Sequence, residues 1–112
     1  MDKDTQEQIQ QLQMHEQNMQ QLLMQRQQFG AQAIEFESAL KELETTKTAY
    51  KIIGNIMVLS DKDELRKELS ERKELLDLRL RSLEKQEEQL RNKAGLLKEQ
   101  IMKHLKGGTH DE

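Results

Sequence analysis

The sequence predicts a mainly α chain: a long antiparallel two-helix coiled coil with one central β-hairpin that is a piece of a larger sheet made by several chains. Three observations carry this. Apolar residues recur at heptad spacing along both halves of the chain. Proline is absent from the 112 residues and glycine occurs only five times, so little interrupts a helix. The central run AYKIIGNIMVLS, residues 49–60, is instead β-branched and apolar around a Gly-Asn pair.

The first helix is expected over residues 5–45. Thr5 and Gln8 have capping-box spacing, and Asp4 and Glu7 place negative charge at the positive end of the helix dipole. Leu12, Met19, Arg26, Ala33 and Leu40 recur every seventh residue. A second row, His15, Leu22, Phe29, Phe36 and Leu43, is offset by three, which completes a seam. The β-branched run around Thr45, Thr46 and Thr48 then favours strand over helix.

The hairpin is expected over residues 49–60. A two-residue turn at Gly54-Asn55 pairs Ile53 with Ile56, Ile52 with Met57, Lys51 with Val58 and Tyr50 with Leu59. Alternation puts Tyr50, Ile52, Met57 and Leu59 on one face. Ile53, Ile56 and Val58 share the other, where Lys51 alone is polar. Both faces are apolar and both edges are open. A lone hairpin is marginal in water, so this one is expected to be a piece of a larger sheet made by several chains.

The second helix is expected over residues 61–106, capped by Ser60 or Asp61, with 107–112 as a flexible tail and Gly107 as the stop. Leu69, Leu76, Leu83, Leu90 and Leu97 form one row. Arg66, Lys73, Leu80, Glu87, Ala94 and Ile101 form the other. Glu68–Arg72, Asp77–Arg81 and Glu87–Arg91 have the favourable acid-first spacing for ion pairs. Folding the chain back at Gly54-Asn55 pairs positions whose numbers sum to about 109. That sum joins Leu12 to Leu97, Leu40 to Leu69, and every seam position between to one on the other helix. Hairpin and heptad registers agree, which is the consistency a single fold requires. Arg26, Arg66, Lys73 and Glu87 are expected to snorkel from the narrow seam, with Arg26 in reach of Glu87. Gly30, Gly95 and the seam residue His15 have no role that the pattern assigns.

Composition narrows function. Charged residues are 35%, aromatics 3%, mean hydropathy −0.97 and net charge −3. This leaves little for a globular core and no basic surface for nucleic acid or an anionic membrane. No apolar run is long enough for a membrane span and MDKDTQEQ is not a signal peptide, so the expected location is cytoplasmic. There is no cysteine. His15, His104 and His110 lack metal-ligand spacing, no phosphate loop or GxGxxG run is present, and no serine has a neighbouring His and acid. The sequence therefore predicts no enzyme, no catalytic residue, no cofactor and no metal.

What remains is surface. The Gln-rich N-terminal third carries Ile9, Met14, Leu23 and Met24 off the seam. Near the other terminus stand Leu96, Ile101, Met102 and Leu105. The sum rule gives Ile101 only Gln8 as partner, so these turns are expected to leave apolar, methionine-rich area for adaptable binding.

A coiled coil, a single hairpin carrying Tyr50-Lys51 and Ile53-Gly54-Asn55-Ile56, and a return helix opening SDKDEL together resemble a beta-class prefoldin subunit of archaeal type. The resemblance covers nearly the whole chain and is most specific from Tyr50 to Leu69. It implies an ATP-independent chaperone (holdase) subunit in a hetero-hexamer of alpha-class and further beta-class subunits. In such an assembly hairpins join as a barrel platform, and arm tips bind unfolded client proteins and pass them to a group II chaperonin. The platform role then falls on Tyr50, Ile52, Ile53, Ile56, Met57, Val58 and Leu59. Client binding falls on Ile9, Leu12, Met14, Leu96, Leu97, Ile101, Met102 and Leu105. Two competing readings of the same pattern are a self-assembling scaffold or filament subunit, and a dimerisation coil of a nucleic-acid-binding protein. The second needs a basic region, whereas here Lys and Arg are interleaved with acids.

Overall fold

The computed structural model describes the backbone of residues 2–110 and the side chains of 2–106. Four elements follow in order: α1 (Lys3–Thr45), β1 (Ala49–Ile53), β2 (Ile56–Ser60) and α2 (Lys62–His110). They form two compact units. One is the hairpin unit, Gln27–Arg81; the other is the terminal unit, Met1–Arg26 with Ser82–Glu112.

In the hairpin unit, β1 and β2 pair antiparallel in the expected register, from Tyr50 with Leu59 to Ile53 with Ile56, and Ala49 with Ser60 extends it. Gly54 has φ +61° and Asn55 does not have a positive φ. A left-handed glycine at the first turn position is the mark of a II′ turn, whose twist matches that of the strands. The helices stop and start at short polar side chains. Thr46 donates its N–H and its hydroxyl to the Glu42 carbonyl, at 3.1 and 2.7 Å, which closes α1. Asp61 caps α2 by accepting from the Asp63 N–H at 3.1 Å. Leu43, Ala49 and Leu76 are the buried apolar residues here. Phe29, Ala33, Phe36, Leu40, Leu69 and Leu80 are half-buried along the expected seam. Arg79 lies over the Phe29 ring at 5.7 Å. Arg66 is exposed and reaches back to the Leu43 carbonyl at 3.5 Å, so it snorkels as expected.

In the terminal unit Leu83, Ile101, Thr5 and Glu87 are buried. Leu12, His15, Met19, Leu22, Leu90, Ala94 and Leu97 are half-buried. Arg26 pairs with Glu87 across the helices at 3.2 Å.

Four local expectations are corrected. The cap of α1 is Asp2, whose carboxylate accepts from the Thr5 N–H at 2.7 Å. Thr5 is the third helical residue and points its side chain into the seam. A carboxylate at the positive helix end adds a charge term that a threonine hydroxyl lacks. At the other terminus α2 continues past Gly107 to His110, so the helix does not stop at that glycine. A helical glycine costs only about 1 kcal/mol relative to alanine, too little to dictate an end. Residues 111–112 of the expected tail lie outside the described residues. Of the three anticipated ion pairs Glu68–Arg72 forms at 3.1 Å. Asp77 instead meets Lys73, and Glu87 meets Arg26, because the seam turns both Lys73 and Glu87 inward.

Candidate functional site

Two surfaces stand out, one in each unit. The first is the hairpin. Tyr50, Ile52, Ile53, Ile56, Met57, Val58 and Leu59 are all exposed, from 43% at Val58 to 69% at Ile52. Seven consecutive-strand apolar side chains in the open is far beyond the scattered exposure normal for a monomer surface. Lys51, the one charged residue of the strands, ties the sheet to α2. Its Nζ donates to both oxygens of Glu68 at 3.0 Å, and Arg72 reaches the same carboxylate. Lys51 hydrogen bonding holds the Glu68 carboxyl below the usual glutamate range, against a smaller opposing effect of desolvation. The face shared by Lys51, Ile53, Ile56 and Val58 is thus tied to α2, while Tyr50, Ile52, Met57 and Leu59 project from the other.

The second surface is the free end of the terminal unit. Of the residues singled out from sequence, Met14, Leu96, Met102 and Leu105 are exposed. Ile9, Leu12 and Leu97 are half-buried. Ile101 departs from expectation: it is buried at 8% exposure. The pairing continues beyond the Leu12–Leu97 layer through polar groups. Gln8 donates to the Gln100 side-chain oxygen at 3.2 Å, and its own oxygen lies 3.1 Å from His104 Nδ1. His104 Nδ1 is also 3.4 Å from the Thr5 hydroxyl, and Thr5 is 2% exposed. Thr5 and His104 sum to 109, so this layer was available to the pairing rule. Hydrogen bonding to Thr5 holds Asp2 below the usual aspartate range.

Met24, Ile34, Leu75 and Leu78 are further exposed apolar residues, the last three unremarked in the sequence because they lie off both seam rows. Among the described residues no group of His, Asp and Glu is placed to hold a metal, and no helix is long and apolar enough to cross a membrane. Among the described residues two buried side-chain atoms lack a hydrogen-bond partner, His15 Nδ1 and Glu87 Oε1.

The hairpin between heptad helices can now be set beside known proteins. The sequence pattern described as prefoldin subunit matches residues 6–108. The chain belongs to the prefoldin family. The prefoldin beta subunit of Methanothrix thermoacetophila is 40% identical over 103 residues, covering 89% of this chain and 86% of its own. That of Archaeoglobus fulgidus is 39% identical over 88 residues, 76% of each chain. The crystal structure of the prefoldin beta subunit from Thermococcus strain KS-1 superposes with a TM-score of 0.87 at 33% identity, over 93% of this chain and 94% of that one. The function is that of a prefoldin chaperone subunit, and the hairpin surface belongs to a chain that assembles with other prefoldin subunits.

Proposed function

We propose that this chain is a non-catalytic holdase subunit, acting in the cytoplasm without nucleotide. In this reading its hairpin joins an intersubunit barrel with an alpha-class subunit and further beta-class copies. The free ends of the arms hold unfolded proteins and pass them to a group II chaperonin. The observation that carries the reading is the division of exposed apolar area between the hairpin and the terminal end, where Met14, Leu96, Met102 and Leu105 are uncovered. Ile101 contributes by holding the end together, not by direct contact, unless the last turns open. Burying an aliphatic side chain contributes roughly 1.5–3 kcal/mol, less in a mobile complex, so one arm binds weakly and several act by avidity.

The test is truncation before Met14 and after Leu97 in the assembled complex. The oligomer should keep its subunit composition while losing suppression of aggregation of an unfolded client. A truncated complex that protects as well as the full-length one would move the binding surface inward from the free ends, to the remaining part of the arm or to the hairpin platform.

A further inference from the structure

One groove of the terminal unit is built differently from the rest. Its α1 wall presents Asn18, Gln21 and Gln25, and its α2 wall presents Gln86 and Gln89. Leu22 and Leu90 form its floor, and Lys93 is the one charged side chain lining it. A neighbouring groove of the same unit carries charged side chains instead, Glu16, Arg91 and Lys98. Here the side chains of Asn18, Gln21, Gln25 and Gln89 make no hydrogen bond to any described residue, and Gln86 makes only a long one to Ser82 at 3.4 Å. Glu87, opposite Leu22 by the pairing sum, is buried and paired with Arg26.

We propose that this groove binds a stretch of extended polypeptide by its backbone. The inference deepens the holdase reading and rests on it. A primary amide both donates and accepts, as a peptide group does, so an amide-lined wall pairs with main-chain N–H and C=O whatever the side chains. An extended chain alternates its side chains between faces, so every second residue would rest on the Leu22–Leu90 floor and the others point to water. Lengths agree. Asn18 and Gln25 are one heptad apart, about 10 Å of helix at 1.5 Å per residue. That matches about three residues of extended chain at roughly 3.3 Å each. A folded protein has spent its backbone groups on its own helices and sheets, whereas an unfolded one presents them free. The groove therefore selects unfolded chain by a feature that apolar contact alone does not read.

The experiment uses the assembled complex and a short labelled peptide of alternating leucine and serine, beside the same peptide N-methylated at alternate residues. N-methylation removes donors while making the peptide more apolar. The complex should bind the parent peptide roughly tenfold more tightly than the methylated one, the scale set by a few hydrogen bonds of modest net worth each. The triple variant Gln21→Met, Gln25→Met and Gln89→Met keeps side-chain length and helix propensity. It should lose that preference, while the control Gln10→Met with Gln17→Met, on the outer row of α1, should retain it. Helix content measured by circular dichroism checks that both variants fold. A triple variant that binds the parent peptide as tightly or more tightly overturns the proposal, as does a methylated peptide that binds as well as its parent. In either case wild-type complex that still suppresses client aggregation leaves the holdase reading standing. Wild-type complex that suppresses no aggregation overturns both.

Discussion

The hairpin unit and the terminal unit solve opposite problems with the same two helices. On the two strands of the hairpin unit the exposed apolar residues are contiguous and held in one register, and four of those seven are β-branched. Ile52, Ile53, Ile56 and Val58 hold fixed positions on a pleated strand pair. In the terminal unit the exposed apolar residues are flexible and dispersed, with Met14, Met24 and Met102 prominent among glutamines. A stiff surface of fixed geometry suits one permanent partner, because little side-chain entropy is lost on contact. Unbranched thioether side chains suit many transient ones. Under the proposed division of roles, exposure alone would not distinguish an assembly surface from a client surface; the contiguity and fixed register of the exposed residues would.

The largest effect should come from charging the hairpin. Ile53→Lys with Val58→Lys places two ammonium groups where neighbouring subunits would pack, and an unpaired buried charge costs several kcal/mol. Native mass should fall to that of the unassembled chain, while circular dichroism keeps the helical signal. A variant of unchanged assembly mass would remove the hairpin from its assigned role. It would also erase the contrast between the two units.

Much of this contrast was legible in the residues. Every hairpin pair followed from one turn position, because a two-residue turn fixes register. The seam followed from heptads, and of its twenty-one expected positions Arg66 alone is exposed. The terminal end was less legible. The sequence pointed to Ile101 as uncovered because Gln8 is polar, yet Gln8 satisfies its amide on Gln100 and His104 and the layer closes. Hydrophobic pattern does not register a layer closed by hydrogen bonds between polar side chains. Nor did it separate Asp2 from Thr5 as the cap, since both are good capping residues three positions apart. Leu75 and Leu78 sit off the seam rows, and nothing in the structure explains their exposure.

A smaller effect should come from the Arg26–Glu87 pair, the charged layer of the terminal unit. Glu87 is buried, its Oε2 is paired and its Oε1 is not, while the Arg26 side chain is 43% exposed. Arg26→Ala leaves that carboxylate buried with no cation. Water reaches the vacated edge, so the loss should be about 1–3 kcal/mol in urea unfolding. Glu87→Leu removes the unpartnered oxygen and sets leucine opposite Leu22. It should be neutral or stabilising, as replacement of buried ion pairs by apolar residues often is. If Glu87→Leu instead gave a mixture of masses or registers, the pair would be holding alignment more than energy.

The smallest effect concerns Lys51, the one charged residue of the hairpin strands. It donates to both oxygens of Glu68, and this lowers the carboxyl's proton affinity in the folded chain. The folded value lies below the unfolded one, so the interaction stabilises the fold above the ordinary glutamate range and is lost as pH falls through the folded value. Lys51→Met keeps the stem and removes the charge. Its melting temperature should therefore lie slightly below that of the wild type at neutral pH, and the two should converge in acid once Glu68 is protonated in both. Both partners are substantially exposed, and solvent screening keeps the gap small. A gap that persisted unchanged into acid would mean that Lys51 orients the hairpin through its aliphatic stem. The polar tie to α2 would then be incidental to which face the sheet presents.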